Sequence, residues 1–262
     1  MKEQVRLFDN RPVLQIGTDW DATQATADNP HGYLDDNGVS VWRRFDKPAC
    51  VPLWQALLAR AKVAGIQGVL WWQPGGYMPG RPQYEIDSHC IPPDVLPQIK
   101  AIAALTKAAG LWSGSLLRPS EIVFPTADRV VGSVRFTTLD DDIKTILQAR
   151  IDGARLTGIG DAFYVDSFGF TAADIQTAAW LRSVVGTSPL YAEWCNVNVL
   201  PWCGAYAEWI QPGQWLHYGP LLDVLKRHQP VIAKDRTGMT FSQLVAWGKT
   251  TGVAPLVFGQ DF

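Results

Sequence analysis

The sequence predicts an α/β chain folded as a (β/α)8 TIM barrel. Three observations carry that expectation. Apolar runs of about five to seven residues, rich in β-branched and aromatic side chains, alternate with amphipathic stretches of ten or more, the pattern of consecutive βαβ units around a parallel sheet. Eight such apolar runs follow one another. The length of 262 residues, 47% of them hydrophobic, suits one large barrel core and leaves no room for a second full domain, so residues 1–262 read as a single barrel domain.

The first strand is expected at Val13 to Thr18, followed by a long Asp- and Asn-rich loop from Asp19 to about Ala49. Pro52 then opens a helix whose Leu53, Leu57, Leu58 and Ala61 form an apolar stripe, closed by Gly65. Ile66 to Trp72 is the second strand. Pro92, Pro93 and Asp94 start the next helix, with Ile99, Ile102, Ala103 and Leu105 toward the sheet and Gly110 ending it. Leu111 to Arg118 is strand three. Residues Glu121 to Phe136, strand-like but broken by Pro125 and the polar turn Ala127-Asp128-Arg129, are expected to form an inserted β-hairpin.

The barrel resumes with a helix from about Asp140 to Leu156 and strand four at Ala162 to Asp166. Thr171 with Asp174 has the spacing of a capping box for a helix running to Val185. Strand five is Pro189 to Trp194. The connection from Cys195 to Cys203 is too short for an ordinary helix, so a one-turn or irregular crossover is expected before strand six at Gly204 to Trp209. A helix at Gly219 to His228, strand seven at Val231 to Lys234, a helix from Thr240 to about Thr250 with Gln243 completing a capping box, and strand eight at Val253 to Phe258 finish the barrel. Only four residues follow Phe258. The last helix is therefore expected to be missing, its place taken by the N-terminal segment, another domain or an oligomer partner.

Charge and composition narrow the function. A formal net charge of −2 and a pI near 6.1 give no electrostatic footprint for nucleic acid or an anionic membrane. No apolar run approaches the roughly 20 residues needed to span a bilayer, and the charged segment Met1 to Asn10 is unlike a signal peptide, so a cytoplasmic location is the default expectation. Cys50, Cys90, Cys195 and Cys203 lack the C-x-x-C spacing of a zinc or redox site and read as mostly buried thiols; a Cys195–Cys203 bridge stays open as an alternative. His31, His89, His217 and His228 are scattered without H-x-H or H-E-x-x-H pairs. Neither a metal nor an organic cofactor is expected.

Catalytic groups in such a barrel project from the C-terminal ends of the strands, so the last residues of each strand are the place to search. Those positions hold Asp19 and Trp20, Trp72, Arg118, Asp166, Glu193 and Trp194, Glu208 and Trp209, and Asp235. Asp166 is the sharpest candidate. An ionised carboxylate at the rim of an apolar strand can attack an anomeric carbon, provided a second carboxyl protonates the leaving group. Glu193 on the next strand suits that role, with Glu208 its rival because Tyr191-Ala192-Glu193-Trp194 recurs as Tyr206-Ala207-Glu208-Trp209. Asp19, Trp20, Trp72, Trp194, Trp209 and Asp235 suit sugar binding, since indole faces pack on sugar C–H surfaces while carboxylates take hydroxyls. Arg118 would orient the nucleophile by a bidentate contact. Plain structural roles stay open beside these: loop stabilisation for Asp166, ion pairing of Glu193 with Arg118 or Arg236, a salt bridge for Asp235, and core packing for each tryptophan.

Asp166, Glu193 and Asp235, ending strands four, five and seven, resemble the nucleophile, acid/base and stabiliser order of the α-amylase clan. Phe163-Tyr164-Val165-Asp166-Ser167 is also similar to the nucleophile strand of other retaining glycoside hydrolase barrels, including α-galactosidase-like ones. The chain departs from the amylase pattern at Tyr164, where an arginine would stand, and at Lys234, where a histidine would stand. The resemblance implies a retaining glycosidase acting on an oligo- or polysaccharide. The alternative from another class is a non-catalytic glycan-binding barrel within a larger surface or phage-type assembly.

Overall fold

The computed structural model describes residues 9–17, 26–30, 44–72, 77–78, 81–82, 91–117, 121–125, 131–135, 139–166, 172–193, 198–199, 201–210, 231–235 and 239–258. In chain order the elements are β1 Val13–Gly17, α1 Cys50–Val63, β2 Gly68–Trp72, β3 Tyr77–Met78, β4 Arg81–Pro82, α2 Leu96–Ala108, β5 Trp112–Leu117, β6 Glu121–Pro125, β7 Val131–Arg135, α3 Asp141–Thr157, β8 Ala162–Val165, α4 Ala172–Val185, β9 Leu190–Ala192, β10 Gly204–Ile210, β11 Val231–Asp235, α5 Phe241–Thr251 and β12 Ala254–Phe258. The helix expected at Gly219 to His228 lies outside the described residues.

Eight strands pair into a closed TIM-barrel-like ring in the order β1-β12-β11-β10-β9-β8-β5-β2, and every pairing is parallel. Followed once round, the paired registers displace the chain by about eight residues, the stagger of (β/α)8 barrels. Outside the ring, β3 pairs with β4 and β6 with β7, both antiparallel.

Strand alternation divides the core in two. On β8, Ala162 and Tyr164 belong to the cluster inside the ring, whereas Phe163 and Val165 pack in the layer beneath the helices. The outer layer is the larger and includes Trp54 of α1 stacked on Trp71 of β2, with centroids 5.1 Å apart and planes 8° apart. Trp71 Nε1 donates to Ser113 Oγ at 2.6 Å, which satisfies its one polar atom inside that layer. Inside the ring, Trp112 lies over Gly68, where a Cβ would meet the indole at 2.0 Å.

The helices show why most boundaries are readable in sequence. Asp140 caps α3 by accepting from the Ile143 N–H at 2.9 Å, and Thr240 with Gln243 forms a complete capping box on α5. Gly158 and Gly252 end these helices with φ of 90° and 73°, a left-handed conformation that costs glycine little.

Two expectations need correction. Leu53 is 42% exposed, and Trp54 instead joins Leu57, Leu58 and Ala61 on the buried face of α1. α2 begins at Leu96 rather than at Pro92 to Asp94. Residues 93–95 form a turn in which the Val95 and Leu96 N–H groups both donate to the Pro92 carbonyl, because proline restricts the backbone ahead of it and Pro97 fits within the first helical turn. The connection from β9 to β10 contains turns at 198–199 and 201–202, with the Trp202 and Cys203 N–H groups donating to the Val199 carbonyl at 3.0 and 3.1 Å. Cys50 and Cys203 are free, buried thiols, so Cys203 makes no bridge to Cys195.

Candidate functional site

The apolar run Ala162–Val165 is fully buried, and the chain turns polar at Asp166. The Asp166 N–H still extends the ladder, donating to the Leu117 carbonyl of β5 at 2.8 Å. Glu193 follows β9 in the same way, its N–H donating to the Val165 carbonyl at 3.0 Å. Val165 pairs with Ala192, so Asp166 and Glu193 occupy the next rung as lateral neighbours on adjacent strands. Strand backbones lie about 4.8 Å apart. Both residues are buried, at 8% and 6% exposure.

Their direction follows from alternation. Ala162 and Tyr164 face the barrel interior, and Asp166 continues their parity; Tyr191 faces the interior, and Glu193 continues its parity. Each carboxylate residue therefore stands one inward step above a buried tyrosine of its own strand. Burial pushes the Tyr191 phenol well above its ordinary value of 10.0, which keeps it a neutral hydroxyl at physiological pH.

Interior residues of such a barrel form tiers of four, contributed by alternate strands. The registers from β1 through β2, β5 and β8 to β9, with the stagger of one residue per strand, place Gln15, Leu116 and Glu193 on one tier. Lys234 holds the remaining register position of that tier. Asp166 belongs to the tier above, with the register positions of Trp72, Glu208 and Phe258.

Asp19, Trp20, Arg118 and Trp194 lie outside the described residues. Trp72 ends β2, paired with Gly17. Glu208 and Trp209 fall on β10 where its register against β11 shifts between Ala207 and Ile210, and the strand runs on to Ile210 rather than stopping at them. Asp235 ends β11 and pairs with Ile210. The two Tyr-Ala-Glu-Trp segments do not lie side by side, because Tyr191 pairs with Gly204, two residues before Tyr206. The four acidic positions thus sit on the contiguous strands β8 to β11, with Asp166 and Glu193 as direct neighbours.

Gln15 was not among the strand-end candidates. It is 2% exposed, and neither Nε2 nor Oε1 has a hydrogen-bond partner among the described residues. The signal was its position two residues after Val13 on an otherwise apolar strand, which puts a polar group on the inward parity. Among the described residues no group of three or more His, Cys, Asp and Glu side chains is arranged to hold a metal ion, and no helix is long and apolar enough to cross a membrane.

No protein-family model and no curated protein sequence matches the chain. Solved structures do. A noncanonic maltogenic α-amylase, AmyB, from Thermotoga neapolitana superposes with a TM-score of 0.59 at 12% identity, over 95% of this chain and 67% of the amylase. A GH138 enzyme targeting pectin rhamnogalacturonan II gives 0.56 at 12% identity over 95% of this chain, which spans only 34% of that enzyme. An α-amylase from Malbranchea cinnamomea gives 0.52 at 11% identity, over 95% of this chain and 68% of that one. The chain therefore has the barrel fold that these α-amylases and the GH138 glycoside hydrolase share.

Proposed function

We propose that the chain is a retaining glycoside hydrolase acting on an oligo- or polysaccharide, with Asp166 as nucleophile and Glu193 as general acid/base. The observation that supports this most is the placement of both carboxylates as lateral neighbours, on inward parity, at the C-terminal ends of β8 and β9 in a fold shared with α-amylases. Retaining enzymes need carboxyl groups about 5–5.5 Å apart. Neighbouring strands about 4.8 Å apart suit that separation.

In the first step Glu193 gives its proton to the glycosidic oxygen while the Asp166 carboxylate bonds to the anomeric carbon; the C–O bond breaks and the leaving sugar departs as an alcohol. In the second, Glu193 takes a proton from water, the water oxygen attacks the same carbon, and the ester to Asp166 breaks. Asp235 stabilises the developing charge, Arg118 orients the nucleophile, and Asp19, Trp20, Trp72, Trp194 and Trp209 hold the sugar. The similar structures include a maltogenic α-amylase and an enzyme targeting pectin rhamnogalacturonan II, which makes maltoheptaose and rhamnogalacturonan II the first substrates to screen.

Hydrolysis is measured for wild type, Asp166→Asn, Glu193→Gln and Glu208→Gln. Asp166→Asn is expected to lose turnover on every substrate. Glu193→Gln is expected to lose about 10²–10⁴-fold on natural glycans but much less on aryl glycosides whose leaving group needs no proton. Near-normal turnover in both variants overturns the role assignment, and a Glu208→Gln variant that alone shows the leaving-group signature moves the acid to Glu208. Saccharide binding with no turnover in wild type identifies a glycan-binding barrel instead.

A further inference from the structure

A buried carboxamide with neither end paired is destabilising in a free protein, since it has given up its hydrogen bonds to water without replacement. Among the described residues Gln15 is such a group. Its neighbours in sequence, Leu14 and Ile16, pack in the outer layer, and Val13 packs inside the ring, so alternation turns Gln15 toward the barrel axis. In the ring order β1 and β9 stand four places apart, diametrically opposite. Gln15 and Glu193 share a tier, so they approach the axis from opposite walls, with Asp166 one tier higher on β8. An eight-stranded barrel is just wide enough for side chains to fill it, so a group bound between the carboxylates is within reach of the opposite wall.

The geometry points to Gln15 as a substrate-binding residue that forms the floor of the site and takes two vicinal hydroxyls of one glycosyl unit. The carboxamide offers an N–H donor and a carbonyl acceptor side by side. Adjacent sugar hydroxyls, each able to donate and accept, complement that pair, and both Gln15 groups are satisfied only when the ring is bound. This assignment rests on the hydrolase reading of Asp166 and Glu193. It adds the residue that recognises the sugar and explains why a polar side chain in the barrel interior has no partner among the described residues.

The test replaces Gln15 with Met, which keeps the length and removes the polar atoms, and with Leu as a second apolar variant. Thermal unfolding of the free proteins is measured, together with KM and kcat on maltoheptaose and rhamnogalacturonan II. Calorimetric binding of the same two saccharides is measured in an Asp166→Asn background, where turnover is blocked. The expected result is a Tm higher by about 2–4 °C in Gln15→Met, with binding weakened about tenfold and KM raised more than kcat falls. A lower Tm in both Gln15 variants means that the amide is engaged in the free protein and overturns the proposal. Unchanged saccharide binding also overturns it, and if Asp166→Asn has lost turnover in the same series the hydrolase reading stands without it. If wild type neither binds nor cleaves either saccharide, both fall together.

Discussion

At the scale of single residues, the inside of the ring is decided by a few contacts with no slack. Trp112 lies so close over Gly68 that a methyl group there would sit 2.0 Å from the indole, far inside van der Waals contact. Gly68→Ala is expected to destabilise the protein by about 3 kcal/mol, at the upper end of the range for overpacked cores. Denaturant midpoints check this, and combining it with Trp112→Leu should cost clearly less than the two single changes summed. The strand-end positions of Asp166 and Glu193 were legible because both residues follow apolar runs at the edge of the barrel. The buried place of Gln15 was not, because it stands two positions inside β1 and not at a strand end. Trp71 shows the same limit from the other side: it stands beside Trp72 in sequence and proves to be a core residue stacked on Trp54 and bonded to Ser113.

At the scale of elements, the boundaries that were readable are those with a local physical cause. Each of the eight ring strands matches an expected apolar run to within about two residues at either end, because β-branched and aromatic runs bounded by polar turns have few other stable conformations. The capping box on α5 is equally local. Thr240→Ala removes a hydroxyl that accepts from the Gln243 N–H and is expected to cost about 1 kcal/mol, measured as a shift in the unfolding midpoint. The features that escaped are set by pairing partners. The register shift between Ala207 and Ile210 depends on how β10 meets β11, and nothing in the Tyr-Ala-Glu-Trp segment itself announces it. The start of α2 was displaced because the pair Pro92-Pro93 reads as a helix opening, whereas here it makes the turn before one.

At the scale of the whole molecule, buried acids link the fold to pH. Burial lifts the Cys50 thiol from its ordinary 9.0 to about 11, with the charge of Asp46 adding to it, and lifts Cys203 to about 12 against the opposing pull of Arg182. Unfolded thiols lose their protons from about pH 9 while the folded ones keep theirs, so the unfolded state binds fewer protons above that pH. The stability that these two thiols contribute is therefore full below pH 9 and is lost as pH rises through the window up to about 11 and 12. Comparing urea midpoints at pH 7.5 and about pH 10 should show a smaller drop in a Cys50→Ala, Cys203→Ala variant than in wild type. A variant with the same drop would place the alkaline sensitivity elsewhere.

The ring has a consequence for how this chain meets another. Each of its eight strands already has a neighbour on both sides, so a foreign strand finds no open backbone row there. The short pairs β3–β4 and β6–β7 are different, since among the described residues neither pair has a further strand beside it. They follow β2 and β5 in the chain, and so leave the barrel from the same end that carries Asp166 and Glu193. Any partner recruited by extending a sheet would join at the rim of the opening and stand beside whatever enters it.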